Sequence, residues 1–475
     1  MRVDNARSQT LNEEKYMVEK IKRPREGFGF QRQVAVLSGA GMFLDGFDVS
    51  VIAVALPGLK KQWEISGAME GIVASSAIVG MFLGMLFGGK LADALGRRKM
   101  YMIDLSGFVI FALLAALTQN AWQLIASRFL LGLFIGGDYP ISSSITAEFT
   151  APQKRGRFII LMSLFWQLGA FFAYFTGILM YPIGESAWRW MLGLGAVLAA
   201  ITLILRHKVP ESPRWLRQHG RIAEANEVMA AITAIRGEYF APTEPQQVRE
   251  DSEARKSRLY GTWWELFSPT MIRSTIFCSV FWFAFAVSFY GIQMYTPSIL
   301  EPFTKGNTIL AYIGSSIIAL LGVAGAAIGM YTVEKVGRRP QMLWCFVGMI
   351  VVLGALALIT DPSVGVLIVL LAFAILLANL GPGVLDMVYP NELFPTRLRA
   401  SGTGFAGSVS RIGAILGVGV FPAMVENWGM SRATWLFAGV AVFGLVVSYF
   451  LAPETKGKTL EELEALANSG WKTHK

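Results

Sequence analysis

The sequence predicts an all-α integral membrane protein, with twelve transmembrane helices in two pseudo-symmetric six-helix bundles. Of its 475 residues, 54% are hydrophobic and only 16% are charged, whereas soluble domains carry charge on roughly a quarter of their residues. The apolar residues gather in about a dozen runs, each near the roughly 20 residues that a bilayer-spanning helix needs. Because irregular backbone cannot face lipid, and because the runs do not alternate as barrel strands do, each run is expected to be a helix.

Twelve runs divide the chain into five regions. The expected spans lie near 33–57, 67–91, 101–119, 122–147, 157–181, 187–206, 273–297, 308–333, 341–360, 363–388, 400–424 and 430–452. We therefore expect an N-terminal tail at 1–32, a first bundle at 33–206, a central loop at 207–272, a second bundle at 273–452 and a C-terminal tail at 453–475.

The tail at 1–32 is polar and mixed in charge, without the short apolar core of a removable signal peptide. Cys278 and Cys345 both lie inside apolar runs, so neither a disulfide framework nor a metal site is expected.

Lysine and arginine are distributed unevenly between the two sides of the predicted bundle. The connections at 88–100, 148–157 and 334–341 carry four, three and three of them, and the connections near 120 and 361 carry none. Because positive charge marks the cytoplasmic side, both termini and the central loop are predicted to be cytoplasmic.

Short motifs recur between the two halves. Asp93-Ala-Leu-Gly-Arg-Arg98 recurs 241 residues later as Glu334-Lys-Val-Gly-Arg-Arg339. Pro210-Glu211 recurs 243 residues later as Pro453-Glu454. A further acid, Glu148, recurs 244 residues later as Glu392. Parallel duplicated bundles are the architecture of secondary transporters, whose site lies at the bundle interface near the midplane.

These same motifs resemble those of the major facilitator superfamily, and the resemblance covers about residues 33 to 460. Gly88-Gly-Lys-Leu-Ala-Asp-Ala-Leu-Gly-Arg-Arg98 resembles the superfamily's loop 2–3 signature. Four further stretches resemble motifs of the sugar porters and related metabolite:proton symporters. They are Arg128-xxx-Gly-xxx-Gly-Gly-Asp-Tyr-Pro140, Pro210-Glu-Ser-Pro-Arg-Trp-Leu216, Glu392-Leu-Phe-Pro-Thr-Arg-Leu-Arg399 and Pro453-Glu-Thr-Lys-Gly457. The resemblance implies the twelve-helix superfamily fold and membrane transport.

Charged residues cluster at the predicted cytoplasmic helix ends, where ion pairs are expected to hold that side shut and to break on opening. The candidate gate residues are Asp93, Arg97, Arg98, Glu148, Arg155, Glu211, Arg214, Glu334, Arg338, Arg339, Glu392, Arg399 and Glu454. The alternative is a solvated charged surface, where each pair contributes only about 0–1 kcal/mol.

An ionisable residue within a span is expensive to insert and is therefore a functional candidate. Asp48 lies about 22 Å from the predicted cytoplasmic end of span 1, and Arg128 lies about 9 Å from the outer end of span 4. In a core of about 30 Å these depths match. Burial opposes the charged carboxylate and arginine favours it, so the pair suits a proton carrier. Sugar:proton symporters carry an aspartate and an arginine at the matching motif positions, which supports this role. The alternative is that Asp48 and Arg128 form a static buried pair.

Two more aspartates are candidates for proton coupling. Asp45 shares a helix face with Asp48, in a run that resembles the aromatic-acid:proton symporters, where both acids matter. The alternative for Asp45 is a solvated carboxylate without a coupling role. Asp138 lies in a run that resembles one in the phosphate symporters, which makes it a candidate second proton site. The alternative for Asp138 is a local hydrogen-bond acceptor at a helix-breaking turn.

Arg411 bears most on the substrate, because it lies about 16 Å into span 11, close to the midplane. There it is expected to clamp a carboxylate, and its run resembles that of aromatic-acid transporters. The alternative is a partner for Asp386 or another buried acid.

The chain departs from the hexose porters at two places. Val287-Ser288 stand where those porters carry paired glutamines, and the Gly381-Pro382 run lacks their stacking tryptophan. Gln167 remains at a position that resembles a sugar-contact glutamine, which keeps a sugar as an alternative. The other candidate cavity residues are Trp166, Trp282, Tyr290, Gln293, Asn379 and Asp386. For the two tryptophans, Tyr290 and Asn379, helix packing or an interfacial belt is the simpler account.

The expected function is proton-coupled symport of a small organic anion across the cytoplasmic membrane by alternating access. A run that starts like a phosphate-binding loop ends in Lys90-Leu91, without Ser or Thr, and lies in a predicted membrane helix. The expected partners are therefore a small-molecule substrate, protons and lipid, with no ATP, nucleic acid, cofactor or metal, and the chain is expected to be a monomer. The alternatives are a sugar or polyol symporter and, from another class, a non-transporting sensor; no constellation of catalytic residues supports an enzyme.

Overall fold

The computed structural model describes residues 30–149, 152–207, 209–236, 263–359, 362–395, 398–458, 462–463 and 466. Within these residues every regular element is a helix. The helices of the first half are α1 (Phe30–Trp63), α2 (Gly67–Leu95), α3 (Arg97–Ala116), α4 (Ala121–Phe149), α5 (Pro152–Met180), α6 (Ala187–Arg206), α7 (Pro213–Gln218) and α8 (Ile222–Arg236). Those of the second half are α9 (Ile272–Leu300), α10 (Thr308–Val336), α11 (Arg338–Leu358), α12 (Val364–Leu380), α13 (Pro382–Leu393), α14 (Arg399–Trp428) and α15 (Met430–Leu451).

Eleven described helical segments are long and apolar enough to cross a membrane. One of them, Ile160–Arg206, has 47 residues, which at about 1.5 Å per residue is more than twice the thickness of a bilayer core. It contains α5 and α6, which a short 3-10 turn at Tyr181–Ser186 separates. The described chain therefore has twelve segments that are long and apolar enough to cross a membrane.

Helix α12 ends where α13 begins, inside the segment predicted as one span at 363–388. Pro382 has no backbone N–H to donate, so it fits the first turn of a new helix rather than the interior of an old one. The tenth span is therefore a broken helix, a feature that hydropathy does not reveal.

The two halves pack as separate bundles that meet chiefly along three helix pairs. Within the first bundle α2 packs on α4, α1 on α5 and α3 on α6, and within the second α9 packs on α14, α10 on α12 and α11 on α15. Between the bundles α2 contacts α14, α5 contacts α10 and α1 contacts α9.

The charged motif repeats lie at one end of each bundle, and these two ends are on the same side of the molecule. We call the side that carries residues 97–98 and 338–339 the basic end, and the opposite side the far end. Toward the far end the bundles are in direct contact. There the Tyr312 hydroxyl of the second bundle donates to the Val54 carbonyl of the first at 2.9 Å. There, an added Cβ at Gly71 lies 2.2 Å from the Gly419 carbonyl oxygen.

Glycines let the helices of the first bundle approach closely. A Cβ added at Gly132 lies 1.9 Å from the carbonyl oxygen of Ala77 on α2. Small residues that allow close backbone approach are typical of helix pairs in membranes, where van der Waals packing drives association.

We expect Gly132→Ala to destabilise the protein by about 1–3 kcal/mol, since a backbone oxygen cannot move aside as a flexible side chain can. The measurement is thermal unfolding in detergent. The matched control is Gly439→Ala on α15, where nothing lies within 4 Å of an added Cβ. Equal melting temperatures for the two variants are the result that contradicts this account.

Candidate functional site

Among the described residues, the loosest buried ion pair joins the first and fourth spans. Arg128 is fully buried, and its Nη2 lies 3.4 Å from Asp48 Oδ2 and its Nη1 3.5 Å from Oδ1. Nη2 also donates to the Asp48 backbone carbonyl at 3.3 Å. Charge-assisted hydrogen bonds are usually about 2.7–2.9 Å long. The structure thus brings these two predicted residues together in a pair held more weakly than its charges allow.

Asp45, one helical turn before Asp48, forms no ion pair in the described structure. Its Oδ2 accepts a hydrogen bond from Trp166 Nε1 at 3.0 Å, and its buried Oδ1 has no hydrogen-bond partner among the described residues. A buried carboxylate with an unused acceptor is suited to bind a proton or a donor group of a ligand.

Asp138 is held by a partner that the sequence analysis did not identify. Arg206, the last residue of α6, donates to both carboxylate oxygens of Asp138, at 2.7 and 3.1 Å. Helix α4 continues through Pro140 without a break, and Ser142 Oγ contributes a further contact to Asp138 Oδ1 at 3.2 Å. This bidentate geometry is much tighter than that of the Asp48 pair.

Arg411 lies at the interface of the two bundles and is 2% exposed. Its Nη1 donates to the Tyr290 hydroxyl at 2.6 Å, and its Nε contacts the sulfur of Met85 on α2 at 3.4 Å. The guanidinium carbon lies 5.5 Å from the ring centre of Tyr139, which the sequence analysis also missed. No carboxylate of the described residues lies within 4 Å of Arg411.

Asp386, on the broken tenth span, is also buried, and its Oδ1 has no hydrogen-bond partner in the described part of the chain. Arg411 interacts electrostatically with Asp45 and with Asp386, without direct contact to either. The centre of the molecule therefore holds a buried cation and two buried carboxylates with unused bonding capacity.

Aromatic rings surround this centre. Trp166 lies edge-on to Tyr290 with ring centres 5.7 Å apart, and its ring centre lies at the same distance from that of Phe289. Trp282 lies 6.5 Å from Tyr139 across the bundle interface. Such rings offer a flat substrate both stacking surfaces and edges.

Three predicted amide residues also lie at the interface. Gln167 Nε2 donates to Asn379 Oδ1 at 2.5 Å and so joins the fifth span to the tenth. Both amide atoms of Gln293 are buried without a partner among the described residues. Its backbone carbonyl accepts a hydrogen bond from Tyr174.

The charged motifs at the basic end form pairs within each bundle. Glu211 accepts the backbone N–H groups of Arg97 and Arg98 at 3.0 and 3.1 Å. In the second half Glu454 accepts those of Arg338 and Arg339, both at 3.1 Å. Gly96 and Gly337, which precede these arginines, both have positive φ, 102° and 105°. The duplication seen in the sequence therefore extends to hydrogen bonds and backbone angles.

Arg338 also contacts Glu334 at 3.0 Å and Glu392 at 3.2 Å, both in its own bundle. Arg399 begins α14. The side chains of four predicted gate residues, Asp93, Glu148, Arg155 and Arg214, lie outside the described part of the structure. A cytoplasmic gate that crosses between the bundles stays a prediction.

We expect Glu454→Ala to lower the stability by about 0.5–2 kcal/mol, because the carboxylate accepts the N–H groups that begin α11. Thermal unfolding in detergent measures the loss. Glu227→Ala, at an exposed position on α8, is the control and is expected to be neutral. A Glu454→Ala variant as stable as this control contradicts the capping role.

Comparison with known proteins places this geometry in a family. The model of the family described as "Sugar (and other) transporter" matches residues 33–467. YaaU of Escherichia coli (strain K12), which carries the name of a metabolite transport protein, is 33% identical over 92% of this chain and 96% of its own. The arabinose-proton symporter of Bacillus subtilis (strain 168) is 30% identical over 92% and 95% of the two chains. The niacin transporter NiaP of Acinetobacter baylyi is 29% identical over 90% and 94%.

Among solved structures, the major facilitator superfamily proton:xylose symporter XylE, bound to 6-bromo-6-deoxy-D-glucose, superposes with a TM-score of 0.74. The match covers 92% of this chain and 99% of that one at 21% identity. It confirms the predicted fold class, twelve helices in two bundles, and with it a multi-pass membrane protein. The chain belongs to the sugar (and other) transporter family.

Proposed function

We propose that the protein is a symporter that couples the entry of protons to the entry of a small organic anion, by alternating access. The proposal rests on the environment of Arg411. This arginine is buried at the bundle interface, and no carboxylate of the described residues lies within 4 Å of it. Arginine stays charged in proteins, and a buried charge needs a partner. A substrate carboxylate is the partner that fits a guanidinium fork.

The surroundings of Arg411 favour a flat or aromatic acid. Tyr290 and Tyr139 lie beside the guanidinium, Trp166 lies against Tyr290, and the three rings offer ring contacts. The similarity to a niacin transporter, named for a small aromatic acid, supports this class of substrate.

The loose pair of Asp48 and Arg128 supports proton coupling. When Asp48 takes a proton, the attraction to Arg128 is lost and the first and fourth spans can rearrange. Asp45, which shares its helix face, is proposed as a second proton acceptor. The similarity to an arabinose-proton symporter supports a proton gradient as the energy source.

We propose that the basic end faces the cytoplasm, by the distribution of lysine and arginine, so that both termini are cytoplasmic. In this orientation the contacts between Tyr312 and Val54 close the outer side. The proposed partners are the organic anion, the protons transported with it and the lipid bilayer. The proposed functional unit is a monomer.

A sugar or polyol is the second candidate substrate, and one observation favours it. Gln167 and Asn379 form a polar pair across the interface, and an amide pair suits a neutral hydroxylated ligand. This pair does not by itself account for Arg411.

The test is uptake into proteoliposomes under an inward proton gradient, with benzoate, nicotinate, a short hydroxy acid, a hexose and a pentose as substrates. Each acid is compared with its uncharged amide. Acid uptake that collapses with the gradient, together with poor amide uptake, supports the proposal. Sugar uptake without acid uptake overturns the substrate class, and uptake of no compound favours a sensor.

A further inference from the structure

A second group of buried charges lies between the centre and the basic end, inside the first bundle. We call Asp104, Asp138 and Arg206 the Asp104 cluster. Arg206 uses its three donor nitrogens on Asp138 at 2.7 and 3.1 Å and on the Leu37 carbonyl at 3.1 Å. Its guanidinium also stacks on the Tyr101 ring at 3.6 Å.

Asp104 has a different environment from Asp138. It is 4% exposed, and its Oδ2 makes no hydrogen bond to any described residue. It lies beside Gly137, where an added Cβ comes 3.0 Å from Oδ1. The absence of a side chain at Gly137 is what gives this carboxyl its space against α4.

The charges of the Asp104 cluster do not balance when both of its aspartates are ionised. Two buried carboxyl groups face one guanidinium, and Arg206 already binds Asp138 through both oxygens. Among the described residues, a second ionised carboxylate in the same apolar surroundings has no cation left to compensate it, and an unpaired buried charge is strongly unfavourable. The favourable state has one proton on the cluster, on the carboxyl that Arg206 does not bind.

A small cavity connects this group to the centre. Its lining includes Asp45, Asp104, Asp138 and Tyr139, and its volume of about 10 Å³ has room for about one water molecule. The cavity thus lies between Asp45 of the central site and the carboxyl of Asp104.

We propose that Asp104 is a proton-binding residue, and that it exchanges its proton through this cavity. The proton moves between carboxyl oxygens and water, with no other bond made or broken. The groups that face Asp104 are Asp138 on α4, Arg206 on α6 and, across the cavity, Asp45 on α1 and Tyr139 on α4. The side chains of Lys90 and Asp93 on α2 lie outside the described residues.

The proposal rests on the proposed symport only for the use of the proton, so its test needs no substrate. The test is infrared spectroscopy of the purified protein in lipid nanodiscs near neutral pH, in the carbonyl stretch of protonated carboxyl groups. Wild type is compared with Asp104→Asn and Asp138→Asn. The control on the same helix is Ser106→Ala, whose hydroxyl donates only to the Met102 carbonyl of its own helix.

Subtracting the Asp104→Asn spectrum from that of wild type is expected to show one protonated carboxyl, whose band shifts in D₂O. Melting temperature is expected to be unchanged, because an amide replaces a neutral carboxyl of the same shape. In Asp138→Asn the same band is expected to vanish, because Asp104 loses its proton and becomes the partner of Arg206.

Two outcomes overturn the proposal. An Asp104→Asn variant that keeps the full wild-type band and melts at a lower temperature makes Asp104 a charged partner of Arg206. A band that is lost but never shifts in D₂O makes Asp104 a sealed structural acid. Both outcomes leave the proposed anion transport to be decided by uptake.

Discussion

Asp48→Asn is expected to abolish proton-driven accumulation while substrate exchange across the membrane continues. Asparagine cannot take up a proton, so the weak pair with Arg128 loses its switch. A gradient of one pH unit drives about tenfold accumulation for each proton carried, since about 1.4 kcal/mol is a factor of ten. The variant should fall from this ratio to equal concentrations on both sides.

Removing the Asp48 charge also leaves Arg128 buried without a carboxylate, because the described structure gives it no other acidic neighbour within 4 Å. Breaking a buried pair from one side typically costs about 3–5 kcal/mol. Loss of transport from poor folding must therefore be separated from loss of coupling.

The double variant Asp48→Asn with Arg128→Gln makes this separation, since it removes both charges. We expect it to regain most of the lost melting temperature but not the accumulation. Ser50→Ala, a buried change on the same helix that removes no charge, is the control and should accumulate normally. Accumulation by Asp48→Asn at the wild-type ratio contradicts the assignment and transfers the role to Asp45.

The fold could be predicted from the sequence because lipid leaves few choices. An apolar run of about 20 residues must form its own hydrogen bonds, which fixes helix and approximate position together. The break at Gly381–Pro382 was not predicted, because hydropathy averages over a window and does not register a missing N–H. Helices α7 and α8 also escaped, because their amphipathic faces pack on each other within a polar stretch.

The candidate site was only partly predictable, and the reason is depth. Asp48 and Arg128 lie deep in antiparallel spans, so counting residues from each end was enough to pair them. Arg206 and Asp104 lie close to helix ends, where a charge ordinarily reaches water. The packing of α3 and α6 against α1 and α4 buries them, and the sequence does not specify which helices are neighbours.

Arg411→Ala is expected to weaken the binding of organic acids by a large factor. Removing one partner of a buried, hydrogen-bonded charge pair costs about 2–5 kcal/mol, which is about a thirtyfold to several-thousandfold rise in Kd. Arg411→Lys is expected to lie between, since lysine keeps the charge but loses the planar fork. Isothermal titration of the purified protein with benzoate or nicotinate measures the effect.

The control variant is Tyr290→Phe, which removes the hydroxyl that Arg411 donates to and leaves the guanidinium in place. It is expected to bind the acids at least as well as wild type, because the freed donor becomes available to the carboxylate. Weak acid binding in this variant assigns the hydroxyl, not the charge, as the recognition element.

The comparison that decides the role of Arg411 is between an acid and its amide in the same variant. If Arg411 binds the carboxylate, Arg411→Ala removes the preference for the acid and leaves the amide almost unaffected. If Arg411 instead serves to balance the charges of Asp45 and Asp386, the substitution lowers the melting temperature and weakens both ligands equally. Only the first result is specific to ligand charge, because the two ligands share their ring, their shape and every other contact.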